Sequence, residues 1–178
     1  MNLPSPNLQP TLIGSKVIVR PIASDDWTAM FRAASDPKVW ELHPASDRYT
    51  EPVFRRYFDD AIASRSAFTI IDRATNVVIG SSRYHGYDPV LSEIEIGWTF
   101  VARAYWGGDY NREIKNLMTA HAFNFVNTVV FWVGETNWRS QRAMEKIGGV
   151  RREGRFTRPL TGPDQYNVIY EIRKGAPR

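Results

Sequence analysis

The stretch SEIEIGWTFVARAYWGGDYNREIKNLMTAHAF, residues 92–123, decides the fold. Its first nine residues alternate between polar and apolar side chains, which predicts a strand with Glu93 and Glu95 on one face. Residues 110–126 repeat apolar side chains at helical spacing, and residues 128–133 form an apolar run typical of a buried strand. The three segments together predict a strand–helix–strand crossover.

Further strands and helices are predicted on both sides of this crossover. The predicted strands are residues 17–22, 67–72, 77–84, 92–100, 128–133, 150–156 and 166–172, the last two joined by a turn at residues 161–164. The predicted helices start near Ser24, Lys38, Thr50, Tyr110 and Asn137. This order indicates one mixed α+β domain over residues 12–178, preceded by a flexible, proline-rich arm over residues 1–11.

Composition excludes several classes of site. A chain of 178 residues fits one domain, and the absence of cysteine excludes disulfides, a thiolate nucleophile and cysteine-ligated zinc. The three histidines lie too far apart in the sequence to suggest a metal site. The longest strongly apolar stretch, residues 129–133, is too short to cross a membrane, and the N-terminus lacks the features of a signal peptide. We therefore expect a cytoplasmic protein without a metal.

Positive charge is concentrated in the last quarter of the chain. The net charge is +4, and residues 138–178 hold ten Lys or Arg against four Asp or Glu. Such a segment could meet a phosphate-bearing ligand or nucleic acid, or it could be a solvated basic face. Nucleic acid is not the expected partner, and a homodimer stays open.

The turn YWGGDYN, residues 105–111, lies between the alternating strand and the clearest helix. Gly107 and Gly108 allow backbone N–H groups to turn toward a ligand, and the helix N-terminus adds partial positive charge. This combination suits a phosphate or pyrophosphate. Motifs for the P-loop, the dinucleotide fold and the nucleophile elbow do not occur in the chain.

Three segments together resemble the GNAT superfamily of acyl-coenzyme A-dependent N-acetyltransferases, and within it the RimJ/RimL-like branch. They are SEIEIGWTF, AYWGGDYNREIKNLMTAHAF and NWRSQRAMEKIGG, and the resemblance covers residues 12–173. It implies a central, mixed and mostly antiparallel sheet that is splayed between the fourth and fifth predicted strands and flanked by helices. It further implies that acetyl-CoA binds in the split and that an acetyl group passes directly to a primary amine within a ternary complex. The implied acceptor is either a protein N-terminus or a small molecule such as an amino acid, a polyamine or an antibiotic.

The resemblance also assigns roles to individual residues. Glu95 is the favoured general base, Glu93 the second candidate, and Ser140 the candidate general acid. Residues expected to bind coenzyme A are Trp106, Gly107, Gly108, Asp109, Tyr110, Asn111, Asn137, Ser140 and Arg142. Residues expected to line the acceptor pocket are Trp40, Tyr84, His85 and Trp98.

Two residues depart from the common family pattern. Asp109 brings negative charge to a loop that should bind phosphate, and we expect it to cap the following helix instead. Asn111, Glu113 and Lys115 match the Asn-x-Glu-x-Lys sequence of one subgroup at this helix start. Met144 stands where many members have a tyrosine proposed to protonate the thiolate. These departures keep one alternative open, a non-catalytic module that binds acyl-CoA on the same fold.

Overall fold

The computed structural model describes residues 6–158 and 165–176. Its strands are β1 Leu12–Ile13, β2 Val17–Pro21, β3 Ala67–Asp72, β4 Val77–Asp88, β5 Glu93–Val101, β6 Thr128–Gly134, β7 Val150–Arg151 and β8 Asn167–Arg173. Its α-helices are α1 Trp27–Ala34, α2 Glu51–Ser64, α3 Tyr110–Ala122 and α4 Trp138–Lys146. Within the described residues, the strands form one sheet in the order β1-β2-β3-β4-β5-β6-β8-β7.

The sheet is splayed between β5 and β6. These two strands are parallel, whereas the other described neighbours in the sheet are antiparallel. Their pairing covers only Glu93–Glu95 opposite Thr128–Val130, so the later residues of both strands line an opening. The predicted α+β class, the crossover through α3 and the split between these strands are therefore confirmed.

A β-bulge in β5 lies just beyond the paired segment. Arg83 of β4 is opposite Gly97 and Ser81 is opposite Phe100, so Trp98 and Thr99 share the single partner Ser82. Trp98 has a φ of 50°, in the left-handed region that non-glycine residues rarely adopt. Because a bulge bends its strand and increases its twist, this irregularity accounts for the way β5 leaves β6.

The two faces of the sheet carry different helices. Ile94 and Ile96 of β5 belong to the core cluster that contains Ile114 and Met118 of α3. The second cluster packs residues of α1 and α2 around Trp40. It also includes Phe100, near the end of β5. Since side chains alternate along a strand, Glu93 and Glu95 lie on the face that α1 and α2 cover.

Several predicted elements differ from the structure in extent, and the strand predicted over residues 77–84 runs on to Asp88. The helix predicted to residue 126 ends at Ala122, and the short helical piece near Lys38 is a 3₁₀ turn at Pro37–Val39. The strand predicted over residues 150–156 is only two residues long in the structure, and beyond Gly154, which has a φ of 105°, a single bridge joins Phe156 to Asn167. The turn predicted at residues 161–164 lies outside the described residues.

Contacts hold the described part of the predicted N-terminal arm against the domain. Gln9 Nε2 donates a hydrogen bond to Ala67 O at 3.2 Å, and Leu8 packs on the larger core cluster. His121 Nε2 lies 2.8 Å from Asn7 O. Residues 7–9 therefore pack on the sheet and α3. The domain boundary at residue 12 stays a prediction.

Glu113 ties the start of α3 to the turn between β1 and β2. Its carboxylate accepts hydrogen bonds from the backbone N–H groups of Ser15, Lys16 and Val17 at 2.8–2.9 Å. A side chain at Gly14 would place its Cβ 2.7 Å from the Glu113 carboxyl carbon, so this approach needs glycine. Burial acts to raise the pKa of Glu113, but the hydrogen bonds outweigh it and lower that pKa below its ordinary value.

We expect Glu113→Gln to lower the free energy of unfolding by about 1.5–3 kcal/mol at pH 7, because it removes charge-assisted hydrogen bonds. A carboxylate whose pKa is lowered by folding stabilises the protein above its unfolded pKa, and this contribution is lost as the pH falls through the folded pKa. The stability gap between wild type and variant should therefore shrink under acid conditions. Urea unfolding of both proteins at neutral and at acid pH measures the difference in their free energies of unfolding.

The matched control is Glu153→Gln, since Glu153 is exposed. Its effect should stay within about 0.5 kcal/mol. Equal stabilities of wild type and Glu113→Gln at pH 7 would contradict the structural role of Glu113.

Candidate functional site

Two helix N-termini flank the open end of the split. Because β5 and β6 are parallel, their carboxyl ends lie at the same edge of the sheet. Each strand is followed by a short connection and a helix, α3 beginning at Tyr110 and α4 at Trp138. Helix N-termini carry partial positive charge and unpaired N–H groups, so this mouth favours an anionic ligand such as phosphate.

The predicted cofactor turn and the start of α4 contact each other across this mouth. Trp106 Nε1 donates a hydrogen bond to Val101 O at 2.8 Å, which fixes the indole at the end of β5. The Arg139 guanidinium of α4 lies 4.2 Å from the centre of the Trp106 ring and pairs with Glu41 at 2.7 Å. The two segments predicted to bind coenzyme A are thus brought together.

The backbone of the turn is open to solvent. Gly107 has a φ of 76°, which favours glycine, and both Gly107 and Gly108 are exposed. Asn111 is half-buried in the first turn of α3. Tyr110 points elsewhere, since its hydroxyl donates to Asp72 Oδ1 at 3.2 Å and its ring packs on Tyr105.

Asp109 occupies the N-cap position of α3, as predicted, but its side chain forms no capping hydrogen bond. Its carboxylate pairs instead with Arg112 at 2.7 Å and lies 3.7 Å from Lys16 Nζ. These cations offset the negative charge beside the turn. A cavity of about 430 Å³ lies along this side of α3, between Asp109 and Ala120, and of the predicted turn residues it includes Asp109 alone.

The start of α4 has the predicted cap. Asn137 Oδ1 accepts a hydrogen bond from Ser140 N at 3.1 Å, which holds Ser140 in the first helical turn. Arg142 is exposed, with its guanidinium 5.3 Å from the Trp138 ring centre. Met144 is buried in the core, so this position supplies packing.

Glu95 is the last β5 residue that pairs with β6, and its side chain is buried. Arg158 Nη2 donates a hydrogen bond to Glu95 Oε2 at 2.8 Å. The carboxylate folds back over Gly97, where a Cβ would stand only 2.7 Å from Oε1. Burial raises the pKa of Glu95, and the positive charges of Arg158 and Lys115 partly offset this effect.

Arg158 is a site residue that the sequence analysis missed. Its guanidinium lies 4.3 Å from the Trp132 ring centre and 5.5 Å from that of Trp98. These contacts join β5, β6 and the segment after β7 around Glu95. The only sequence signal was the basic character of the last quarter, which does not distinguish Arg158 from its neighbours.

Lys115 approaches the split from the α3 face. Its Nζ donates a hydrogen bond to Thr99 Oγ1 at 2.5 Å, and Thr99 Oγ1 lies 2.8 Å from Ser82 Oγ. Burial lowers the pKa of Lys115 to about 7, although the charge of Glu95 acts in the opposite direction. The split thus holds two buried ionisable side chains, one on each face.

Glu93 has a different environment from Glu95. Its carboxylate pairs with Arg152, which also pairs with Glu171 of β8. These ion pairs tie the paired end of β5 to the far strands.

The four predicted acceptor residues do not share one pocket. Trp40 and Tyr84 are both buried, with Trp40 Nε1 donating to Ala34 O and the Tyr84 hydroxyl donating to Met118 O. This corrects their prediction as pocket residues, because the core covers both rings. His85 is exposed and packs on the half-buried Trp98 at 4.8 Å between ring centres. His85 is also opposite Glu95 in the sheet.

Residues 6–158 and 165–176 contain neither a candidate metal cluster nor a helix that could span a membrane. No group of three or more His, Cys, Asp or Glu residues there could hold a metal ion. Among the helices in the same ranges, none combines the length and apolar character that crossing a membrane requires.

Comparisons with known proteins agree with this architecture. Residues 16–150 match the family model described as "Acetyltransferase (GNAT) domain". A GCN5-related N-acetyltransferase from Brucella melitensis superposes with a TM-score of 0.82 at 20% identity, covering 93% of this chain and 79% of the other. Spermidine N-acetyltransferase from Vibrio cholerae, solved with CoA and spermine, superposes with a TM-score of 0.68 at 15% identity, covering 90% of this chain and 96% of the other. The search of curated proteins returned no match.

Lys115 makes the stability depend on pH in a specific direction. An amine whose folded pKa lies below its unfolded value binds fewer protons in the folded state, so stability rises with pH between the two values. From about pH 7 upward, the free energy of unfolding of wild type should rise by up to about 1.4 kcal/mol per pH unit relative to that of Lys115→Met. Urea unfolding at pH 7, 8 and 9 measures the difference.

The matched control is Lys174→Met, because Lys174 is exposed. Its stability should follow that of wild type at every pH. Parallel curves for wild type and Lys115→Met would show that Lys115 is not held in the buried environment described above.

Proposed function

The chain belongs to the GNAT acetyltransferase family, and we propose that it transfers an acetyl group from acetyl-CoA to a primary amine in a ternary complex. The observation that carries this proposal is the position of Glu95, a buried carboxylate at the point where β5 and β6 separate. A base is needed there because only a neutral amine can attack the thioester.

We propose that acetyl-CoA lies in the split, with its pyrophosphate at the two helix N-termini. The residues present fit this ligand, since Gly107 and Gly108 expose their backbone and Arg112 offsets the charge of Asp109. From the α4 side, Asn137 and Ser140 would contact the pantetheine arm. The exposed Arg142 would meet the phosphates of the adenosine end.

The proposed reaction needs one base and one acid. Glu95 accepts the proton of the acceptor ammonium, and its raised pKa brings it closer to neutral pH, where a general base works best. The amine nitrogen then bonds to the acetyl carbon as the carbon–sulfur bond breaks. Ser140 donates its proton to the departing thiolate, because Met144 offers no O–H group. The nitrogen loses its second proton as the amide forms, and this proton restores the Ser140 hydroxyl. No covalent enzyme intermediate is involved.

The finer assignments rest on the sequence motifs. We place the chain in the RimJ/RimL-like branch, because the turn, the strand carrying Glu95 and the α4 segment occur in that branch's order and spacing. We also propose a cytoplasmic location, where acetyl-CoA is available. Detectable transfer would exclude the alternative of a non-catalytic acyl-CoA-binding module.

We expect Glu95→Gln to lower kcat by roughly 10²–10⁴, because the amide keeps its shape but cannot accept a proton. The loss should shrink at high pH, where more of the acceptor amine is already neutral. Ser140→Ala should lower kcat by less, and raising the pH should not restore it. Release of free thiol from acetyl-CoA, measured across pH with a panel of amines, gives both profiles.

Glu93→Gln is the matched control, since it removes a carboxylate from the same face of β5. It should alter stability through the lost Arg152 ion pair and leave the shape of the pH profile unchanged. Near wild-type turnover of Glu95→Gln at neutral pH would assign the base to another residue.

A further inference from the structure

A small cavity lies beside Trp98 on the face of the sheet that α1 and α2 cover. Its volume is about 180 Å³, and its lining includes Arg48, Tyr57, Arg83 and Trp98. A cavity of about 150 Å³ is known to hold a molecule as large as benzene, so this space fits a small ligand group. Arg56 and Asp60 complete its charged rim.

Arg83 carries a buried hydrogen-bond donor beside this cavity. It is only 6% exposed, and its Nε is fully buried without a hydrogen-bond partner among the described residues. Its guanidinium lies 5.0 Å from the Trp98 ring centre and 6.0 Å from that of Tyr57. Burying a charged donor without an acceptor is costly, so a ligand acceptor would explain its retention.

Arg48 brings a second cation to the same cavity. Its guanidinium lies 5.1 Å from the Tyr57 ring centre, and its Nη1 lies 3.2 Å from His43 Nε2. Burial lowers the pKa of His43 to about 3, so that this neighbour is neutral at pH 7. The ion pairs found within the described ranges include neither Arg48 nor Arg83.

The cavity is next to the proposed base. Arg83 is opposite Gly97 and His85 is opposite Glu95, so Arg83 and Glu95 are diagonal neighbours on the same face of two paired strands. Diagonal neighbours of this kind on antiparallel strands are about 7–8 Å apart. A ligand group bound at Arg83 would thus lie a few bonds from an amine at Glu95.

On the basis of the proposed acetyl transfer, we propose that the acceptor is a small amine that carries a carboxylate, such as an α-amino acid. The carboxylate binds in the cavity of Arg48 and Arg83, and the amine faces Glu95. A planar guanidinium matches a carboxylate through two parallel hydrogen bonds, which gives both affinity and orientation. Polyamines lack such a group, and the arginines repel their charge.

Matched pairs of α-amino acids and their carboxamides test this proposal, because the two members differ only in the carboxylate. We expect at least one acid to exceed its amide by about 10- to 100-fold in kcat/KM for thiol release. Arg83→Met should remove this preference, whereas Arg83→Lys, a point charge without the fork, should retain part of it. Arg32→Met, on the exposed surface of α1, should keep the full preference.

The melting temperature with and without acetyl-CoA verifies that each variant folds and binds the donor. If Arg83→Met does not fold, Arg48→Met replaces it in the same test. Amides as good as their acids, faster turnover of spermidine than of every acid, or an unchanged preference in the folded Arg83→Met variant would overturn the proposal.

A separate readout distinguishes this inference from the proposed function. If no amine of the panel releases thiol, acetyl transfer to these amines has failed. The melting temperature of the CoA-saturated protein with each acid and amide then tests the anion site alone. Stabilisation by acids only, lost in Arg83→Met, supports the site, and equal effects of acids and amides overturn it.

Discussion

The structure depends on how briefly β5 and β6 pair. Three residue pairs join these parallel strands, and the bulge at Trp98 then turns β5 away. A sheet that continued to pair would close the space between the two strands with side chains. Because it does not, the crossover helix and the helix after β6 present their N-termini to a common opening. The proposed donor site is therefore a consequence of strand pairing.

The same separation arranges charge around the reacting groups. Glu95 ends the paired segment on one face, and Lys115 reaches the split from the other. Each is buried, so each is shifted toward its neutral form: the pKa of Glu95 is raised and that of Lys115 is lowered. Arg158, between Trp98 and Trp132, orients Glu95 through a hydrogen bond and partly offsets the rise in its pKa. Such opposed shifts are typical of sites that transfer protons.

The sequence was sufficient to predict those features that depend on a local pattern of residues. Alternation predicted the strand with Glu95, helical spacing predicted α3, and Asn137 was correctly predicted to cap α4. These features depend on neighbours within one or two turns of chain. The three segments that carry this crossover and α4 also carried the resemblance to the GNAT family, which the family model over residues 16–150 confirms.

Long-range partners could not be predicted in this way. Arg158 contacts Glu95, and Arg83 contacts Tyr57. The members of each pair are too far apart in the sequence for a local motif to predict the contact. Tyr84 was assigned to the acceptor pocket, but strand alternation alone does not tell which face of a sheet is covered, and its ring lies in the core. Glu113 matched a family subgroup at the cofactor turn, whereas its carboxylate binds the turn before β2.

The central claim is that acetyl-CoA occupies the split between β5 and β6, and amide hydrogen exchange measured with and without acetyl-CoA tests it most directly. Acetyl-CoA bound in the split should slow exchange at two separate segments, residues 106–111 and residues 138–141, with little change along β1, β2 and α2. Protection at only one of these helix starts, or confined to the cavity along the outer side of α3, would contradict it.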